Sequence, residues 1–200
     1  MPRSPRHLAH WLPALPLVRL AWGLLRQDTA ILTAKPVENL IDTCGWWTLF
    51  LLAATLALAP LQRLTGRSWL AQLKRPLGLW AFAYACLHLL AYGGLDQGFS
   101  PGELVRDIAK HRFILLGLAA WLTLLPLAIT STKGWQRRLG RSWRRLHRLV
   151  YLAAGLGVLH FAGKAKAGFR DPEVLLFLLA VTTLLLLRIP WPRAAARRAE

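Results

Sequence analysis

Pro76-Leu-Gly-Leu-Trp-Ala-Phe-Ala-Tyr-Ala-Cys-Leu-His88-Leu-Leu-Ala-Tyr-Gly-Gly-Leu95 runs for twenty residues without a formally charged side chain. At a helical rise of about 1.5 Å per residue, about 20 residues cover a hydrocarbon core of ~30 Å. Two further windows, Thr43 to Gln62 and Phe113 to Thr132, are equally long and equally uncharged. Three such blocks in one chain indicate a protein that crosses a membrane several times.

Three weaker windows complete the count. One begins at His147 and continues through Leu149–Gly163, and another is the Leu- and Val-rich run from Val174. Both reach bilayer length only if Arg148 and Arg188 extend their charged heads to the interface. The first, residues 8–26, holds Pro13, Pro16 and Arg19. A cleaved signal peptide competes for it, but these residues interrupt the apolar region and Leu32-Thr-Ala34 is a poor cleavage site. An irregular first span is expected instead. The resulting architecture is all-α, a single membrane domain over 1–200 with six transmembrane helices near 8–26, 43–62, 76–95, 113–132, 147–163 and 174–191.

Composition agrees. Of 200 residues, 55% are hydrophobic and 18% charged, with a formal net charge of +17. A disordered chain is excluded by the apolar content, and long uncharged blocks between the basic clusters argue against nucleic-acid binding. With both termini on the cytoplasmic side, the inner segments carry seventeen basic residues and one acid, Glu200. The outer loops then carry eight basic residues and the other eight acids. Cytoplasmic loops are Lys- and Arg-rich in membrane proteins, so the basic runs report topology and contact with anionic lipid.

Cys44 and Cys86 are too few for a disulfide framework or a four-cysteine cluster. No P-loop, no G-x-G-x-x-G and no hydrolytic constellation is present, and no internal repeat stands out in the letters. A nicotinamide, if one supplies electrons, must be bound by another chain.

The chemistry rests on histidines. His7 and His10 fall at the N-terminal boundary and His111 in a charged outer loop, all suited to solvent or interface. His88 and His160 stand about 12 and 13 residues into two parallel spans, so both lie roughly 18–20 Å from the cytoplasmic side. Ionisable groups at membrane depth face a protein interior, a partner or a cofactor. Two imidazoles at one depth on separate helices can clamp a haem iron from opposite faces, which suits electron transfer because no coordination position stays open. Hydrogen bonding between helices is the other reading of the same spacing. Zinc is disfavoured, since no carboxylate or thiolate cluster lies at that depth.

His147 precedes His160 by 13 residues, about 20 Å along a helix and near the spacing of two stacked haems. A second histidine pair would need a partner at 74 or 75, where the chain has Lys74 and Arg75. His147 is therefore open to three readings: ligand of an inner haem with an unusual partner, contact to a flavin phosphate or quinone, or interfacial residue. The preceding loop alternates basic residues with Trp135, Leu139, Trp143 and Leu146, the pattern of a short interfacial helix. Trp46, Trp47, Trp69, Trp135, Trp143 and Trp191 fit an aromatic belt.

Arg75 to Tyr92, together with Thr130 to Tyr151 followed by His160, resembles the corresponding helices of the MsrQ (YedZ) family, over roughly residues 40–190. The resemblance implies a ferric-reductase-like transmembrane domain with haem b, and an association with FMN. It implies that electrons from the quinone pool or a cytosolic flavin reductase cross the bacterial inner membrane to MsrP, a periplasmic molybdenum-cofactor enzyme that reduces methionine sulfoxide in proteins. By the same resemblance His88 and His160 are haem ligands and His147 a possible additional ligand, with the number of haems open. A self-sufficient transmembrane ferric or quinone reductase and a non-redox membrane scaffold are the alternatives.

Overall fold

In a computed structural model, residues 11–28 and 33–188 are described, and every regular element among them is helical. Inside a bilayer each backbone N–H and C=O needs a partner within its own segment, and the Leu- and Ala-rich composition favours the helix that provides it. In chain order the α-helices are α1 (Leu15–Arg26), α2 (Pro36–Thr65), α3 (Leu70–Leu90), α4 (Pro101–Lys110), α5 (Phe113–Ile129), α6 (Lys133–Leu139), α7 (Arg141–Leu146), α8 (Leu149–Lys164) and α9 (Pro172–Leu186). A π-helical turn, Ala91–Asp96, prolongs α3.

Among the described residues three segments are long and apolar enough to cross a membrane: Pro36–Thr65, Leu70–Asp96 and Arg141–Lys164, the last joining α7 to α8. α5 forms a pair with α4 that bends by 112° between them. α9 is apolar but shorter, with 15 residues. Leu176 and Leu179 on α9 are each 64% exposed, a cost that lipid removes and water would not. The expected first span is described only in part. Its described part is a 3-10 turn, Leu12–Ala14, followed by the 12 residues of α1. Residues 11–26 are helical throughout, passing from the 3-10 turn that holds Pro13 into α1, and residues 8–10 of the expected span lie outside the described residues.

Helix ends follow local chemistry. Gly66, in the left-handed region at φ 67°, closes α2 with its N–H on the Gln62 carbonyl. Asp171 caps α9 through the Glu173 N–H at 2.9 Å, with Pro172 at the first helical position. Ser100 caps α4 through the Glu103 N–H.

α2 is the central helix. One buried cluster joins Cys44, Leu51 and Leu52 of α2 to Ala81, Tyr84 and Ala85 of α3, Leu124 and Leu127 of α5, and Ala153 of α8. A second joins Leu49 and Leu56 to α8 and α9 through Val158, Phe177 and Val181. The small residues at Ala81, Ala153 and Ala154, each fully buried, let these helices approach closely. Tyr84, also fully buried, donates from its hydroxyl to the Pro13 carbonyl at 2.6 Å and so ties the N-terminal turn to α3.

Arg188 corrects an expectation. Its head turns into the protein instead of reaching for the interface, donating to the Leu56 carbonyl at 2.6 Å and to the Tyr151 hydroxyl at 2.5 Å. The cause is in the sequence: residue 60 is proline, which has no N–H to give the carbonyl four residues earlier. Leu56 O would be an orphan acceptor, and the guanidinium fills that vacancy.

Candidate functional site

His88 on α3 and His160 on α8 meet. Their ring centroids are 6.0 Å apart, with ring planes at 89°. Each ring is fixed in the same manner by a neighbouring helix. His88 Nδ1 donates to the Ile41 carbonyl of α2 at 2.8 Å, and His160 Nδ1 donates to the Phe113 carbonyl of α5 at 2.8 Å. A carbonyl only accepts, so in both rings Nδ1 carries the proton and Nε2 keeps its lone pair. That tautomer is the one a metal-binding imidazole needs, with its outer nitrogen oriented by a backbone acceptor.

Glycine makes these approaches possible. A Cβ on Gly45 would lie 3.1 Å from His88 Nδ1, and one on Gly117 only 2.7 Å from His160 Nδ1. Each glycine stands four residues after the accepting carbonyl, so the missing side chain opens the path to it. The separation from acceptor to histidine is 47 residues in both cases. Ile41, Gly45 and His88 thus recur as Phe113, Gly117 and His160 at one constant offset. The expectation of no internal repeat needs correction: the repeat is in backbone geometry, and few letters besides glycine and histidine mark it. Gly45 and Gly117 carry no mark of their own that sets them apart from the other glycines of the chain. The constant offset was the signal that could have found both.

The remaining histidines lie elsewhere. His147 stacks on Trp143 at 3.9 Å and donates from Nδ1 to the Trp143 carbonyl at 3.1 Å. Trp143 itself donates to the Thr130 carbonyl at 2.9 Å, so it is a structural wall and not a member of a lipid-facing belt. Both line an inner cavity of about 240 Å³. Lys74, Arg75 and Arg188 line it as well, and none of its lining residues is acidic. The positions where a second histidine would be needed therefore do reach His147's cavity, carrying cations. His7, His10 and Trp191 lie outside the described residues.

His111 is exposed on the outer side. Its Nδ1 pairs with Asp107 Oδ1 at 2.9 Å, while Tyr92, one turn past His88, donates to Asp107 Oδ2 at 2.7 Å. The Tyr92 hydroxyl holds the Asp107 carboxyl below the usual carboxylate range, with His111 adding to the effect. At the outer rim of the histidine pair, Lys164 of α8 forms an ion pair with Asp42 of α2. Among the described residues no group of three or more His, Cys, Asp or Glu side chains is placed to hold a metal ion.

Residues 44–158 match the family described as ferric reductase like transmembrane component. Over 202 aligned residues the chain is 44% identical to the protein-methionine-sulfoxide reductase heme-binding subunit MsrQ of Ralstonia nicotianae, covering 98% of this chain and 91% of that one. It is 46% identical to the MsrQ of Herminiimonas arsenicoxydans over 179 residues, 88% of this chain and 80% of that one. The MsrQ of Xanthomonas campestris pv. campestris is likewise 46% identical over 178 residues, with the same coverage.

Proposed function

The chain belongs to the MsrQ family, and from that membership we propose that His88 and His160 are the axial ligands of a b-type haem in a membrane electron-transfer subunit. The observation that carries the reading is the matched pair of rings. Two metal–imidazole bonds of about 2 Å plus the half-widths of the two rings give a centroid separation of about 6 Å. The rings stand at 6.0 Å, and both are locked in the Nε2-free tautomer. Haem held by His88 and His160 would supply a one-electron carrier.

The protein's own residues do the rest. The Ile41 and Phe113 carbonyls orient the imidazoles and raise their basicity, and Gly45 and Gly117 keep the space beside them open. Electrons enter from the cytoplasmic side, from the quinone pool or a cytosolic flavin reductase, and leave to a periplasmic MsrP-type molybdoenzyme. The charge asymmetry of the loops supports an inner-membrane protein with both termini in the cytoplasm. Among the described residues one pair of facing imidazoles is present. FMN finds matching chemistry in the inner cavity, where Lys74, Arg75 and Arg188 suit a phosphate and Trp143 and His147 a flat ring; His147 as ligand of an inner haem is the competing use of the same space.

Purified full-length protein is expected to show a b-type reduced-minus-oxidised spectrum, and His88→Ala or His160→Ala to remove most of the haem. Undiminished haem in both variants would overturn the ligand assignment. Electron delivery to a co-purified periplasmic reductase tests the direction of transfer.

A further inference from the structure

The outer rim of the histidine pair carries an ion pair whose position is set by both helices. On α8, Lys164 follows His160 by four residues, so the two side chains share one face about 6 Å apart along the axis. On α2, Asp42 directly follows Ile41, whose carbonyl holds the His88 ring, and comes one turn before Gly45, on which that ring packs. Lys164 reaches across from α8 to pair with Asp42. The contact therefore lies one turn outward of the imidazoles and spans the helices that flank them. Both partners keep partial access to solvent, with side chains 36% and 47% exposed.

A b-type haem bears two carboxylates, and a carboxylate at a partly exposed rim gains from a cation placed to meet it. Few cations stand in register with the pair. From His88 to Asp96, α3 and its π-helical turn offer none, and Lys74 and Arg75 lie more than three turns inward. At the start of α2, Glu38 is already paired with Lys35 at 2.9 Å. Among the described residues, Arg112 adjoins Phe113 at the start of α5, while Lys164 stands one turn from His160 on the same face of the same helix.

We propose, resting on the bis-histidine reading, that Lys164 binds a carboxylate of the haem at this site and that Asp42 holds the ammonium at the rim in readiness. Lys164 is thus a cofactor-positioning residue. It fixes which edge of the macrocycle faces outward, and the partner on α2 keeps the ammonium from folding away when the carboxylate is absent.

The test compares protohaem IX with its dimethyl ester, in which both carboxylates are capped. Full-length protein produced under haem limitation and kept in detergent is loaded with either porphyrin, and the dissociation of each is followed by its Soret band. The wild type is expected to hold the free acid about tenfold longer than the ester, the size of one charge-assisted hydrogen bond. Lys164→Gln should bring the two lifetimes together while preserving the low-spin bis-imidazole spectrum, and Lys164→Arg should restore the difference. Equal lifetimes in the wild type, or a preference for the free acid undiminished in Lys164→Gln, overturns the proposal. Neither result touches the ligand assignment, which fails separately if the ester-loaded wild type shows no bis-imidazole spectrum. Should Lys164→Gln not fold, Lys164→Met takes its place in the same comparison.

Discussion

Gly117 and His160 fit each other so closely that no other residue can take the glycine's place without moving the imidazole. The ideal Cβ position at residue 117 is 2.7 Å from Nδ1 and 2.8 Å from Cε1. At Gly45 the corresponding distances to His88 are 3.1 Å, close but within reach of a small adjustment. Gly117→Ala should therefore tilt the His160 ring off the Phe113 carbonyl and lower the haem content several-fold. Gly45→Ala should lower it less. Haem per protein, from the alkaline pyridine spectrum, ranks the two; equal content in both variants would contradict the steric account.

His147 belongs to the inner cavity and makes no contact with the outer pair. His147→Ala is expected to leave the bis-imidazole spectrum of the outer haem intact, while any flavin or second haem is lost or weakened. Haem and flavin quantification on the same sample measures both. Disappearance of all haem would show that the two sites are coupled more tightly than their separation allows.

Arg188 and Pro60 are linked through the Leu56 carbonyl. Removing the guanidinium by Arg188→Met strands that acceptor, at a cost of about 2 kcal/mol for a charged hydrogen bond. Pro60→Ala restores an N–H to the same carbonyl, so Arg188→Met should cost less in the Pro60→Ala background. Thermal unfolding in detergent across the four proteins of this double-mutant cycle gives the coupling. Strictly additive effects would mean that the proline does not explain the arginine.

Asp107 joins the turn beyond α3 to α4, and its contribution depends on pH. The Tyr92 hydroxyl and His111 lower its folded pKa below the unfolded value, which for aspartate is about 3.9. The stabilisation is thus complete above that unfolded value and disappears as pH falls through the lowered one. Proteolysis of the α4 loop should accelerate below about pH 4 in the wild type. In Asp107→Asn it should be faster at neutral pH and change little on acidification. The same pH profile in both proteins would place the effect elsewhere.

Much of this was written along the chain. Charge-free runs of bilayer length fix helices because a lipid environment leaves the backbone no other partner. Equal spacing from the span starts puts His88 and His160 at matching positions along α3 and α8. The tautomers were not legible, because the acceptors are backbone carbonyls of Ile41 and Phe113, and a carbonyl has no signature in the letters. Nor was the role of Gly45, which differs from any other membrane glycine only by what packs on it. Arg188 looked like an interfacial arginine until its distance to Leu56 became visible.

Sequence by itself determined the all-helical membrane architecture and the matching positions of the candidate ligands along their helices, since each follows from local composition and a fixed rise per residue. Tertiary structure alone decided that the two imidazoles face each other at 6.0 Å, which glycines admit them and which cations gather around His147. Those depend on helix rotation and crossing, and these are settled by side-chain packing between segments far apart in the chain.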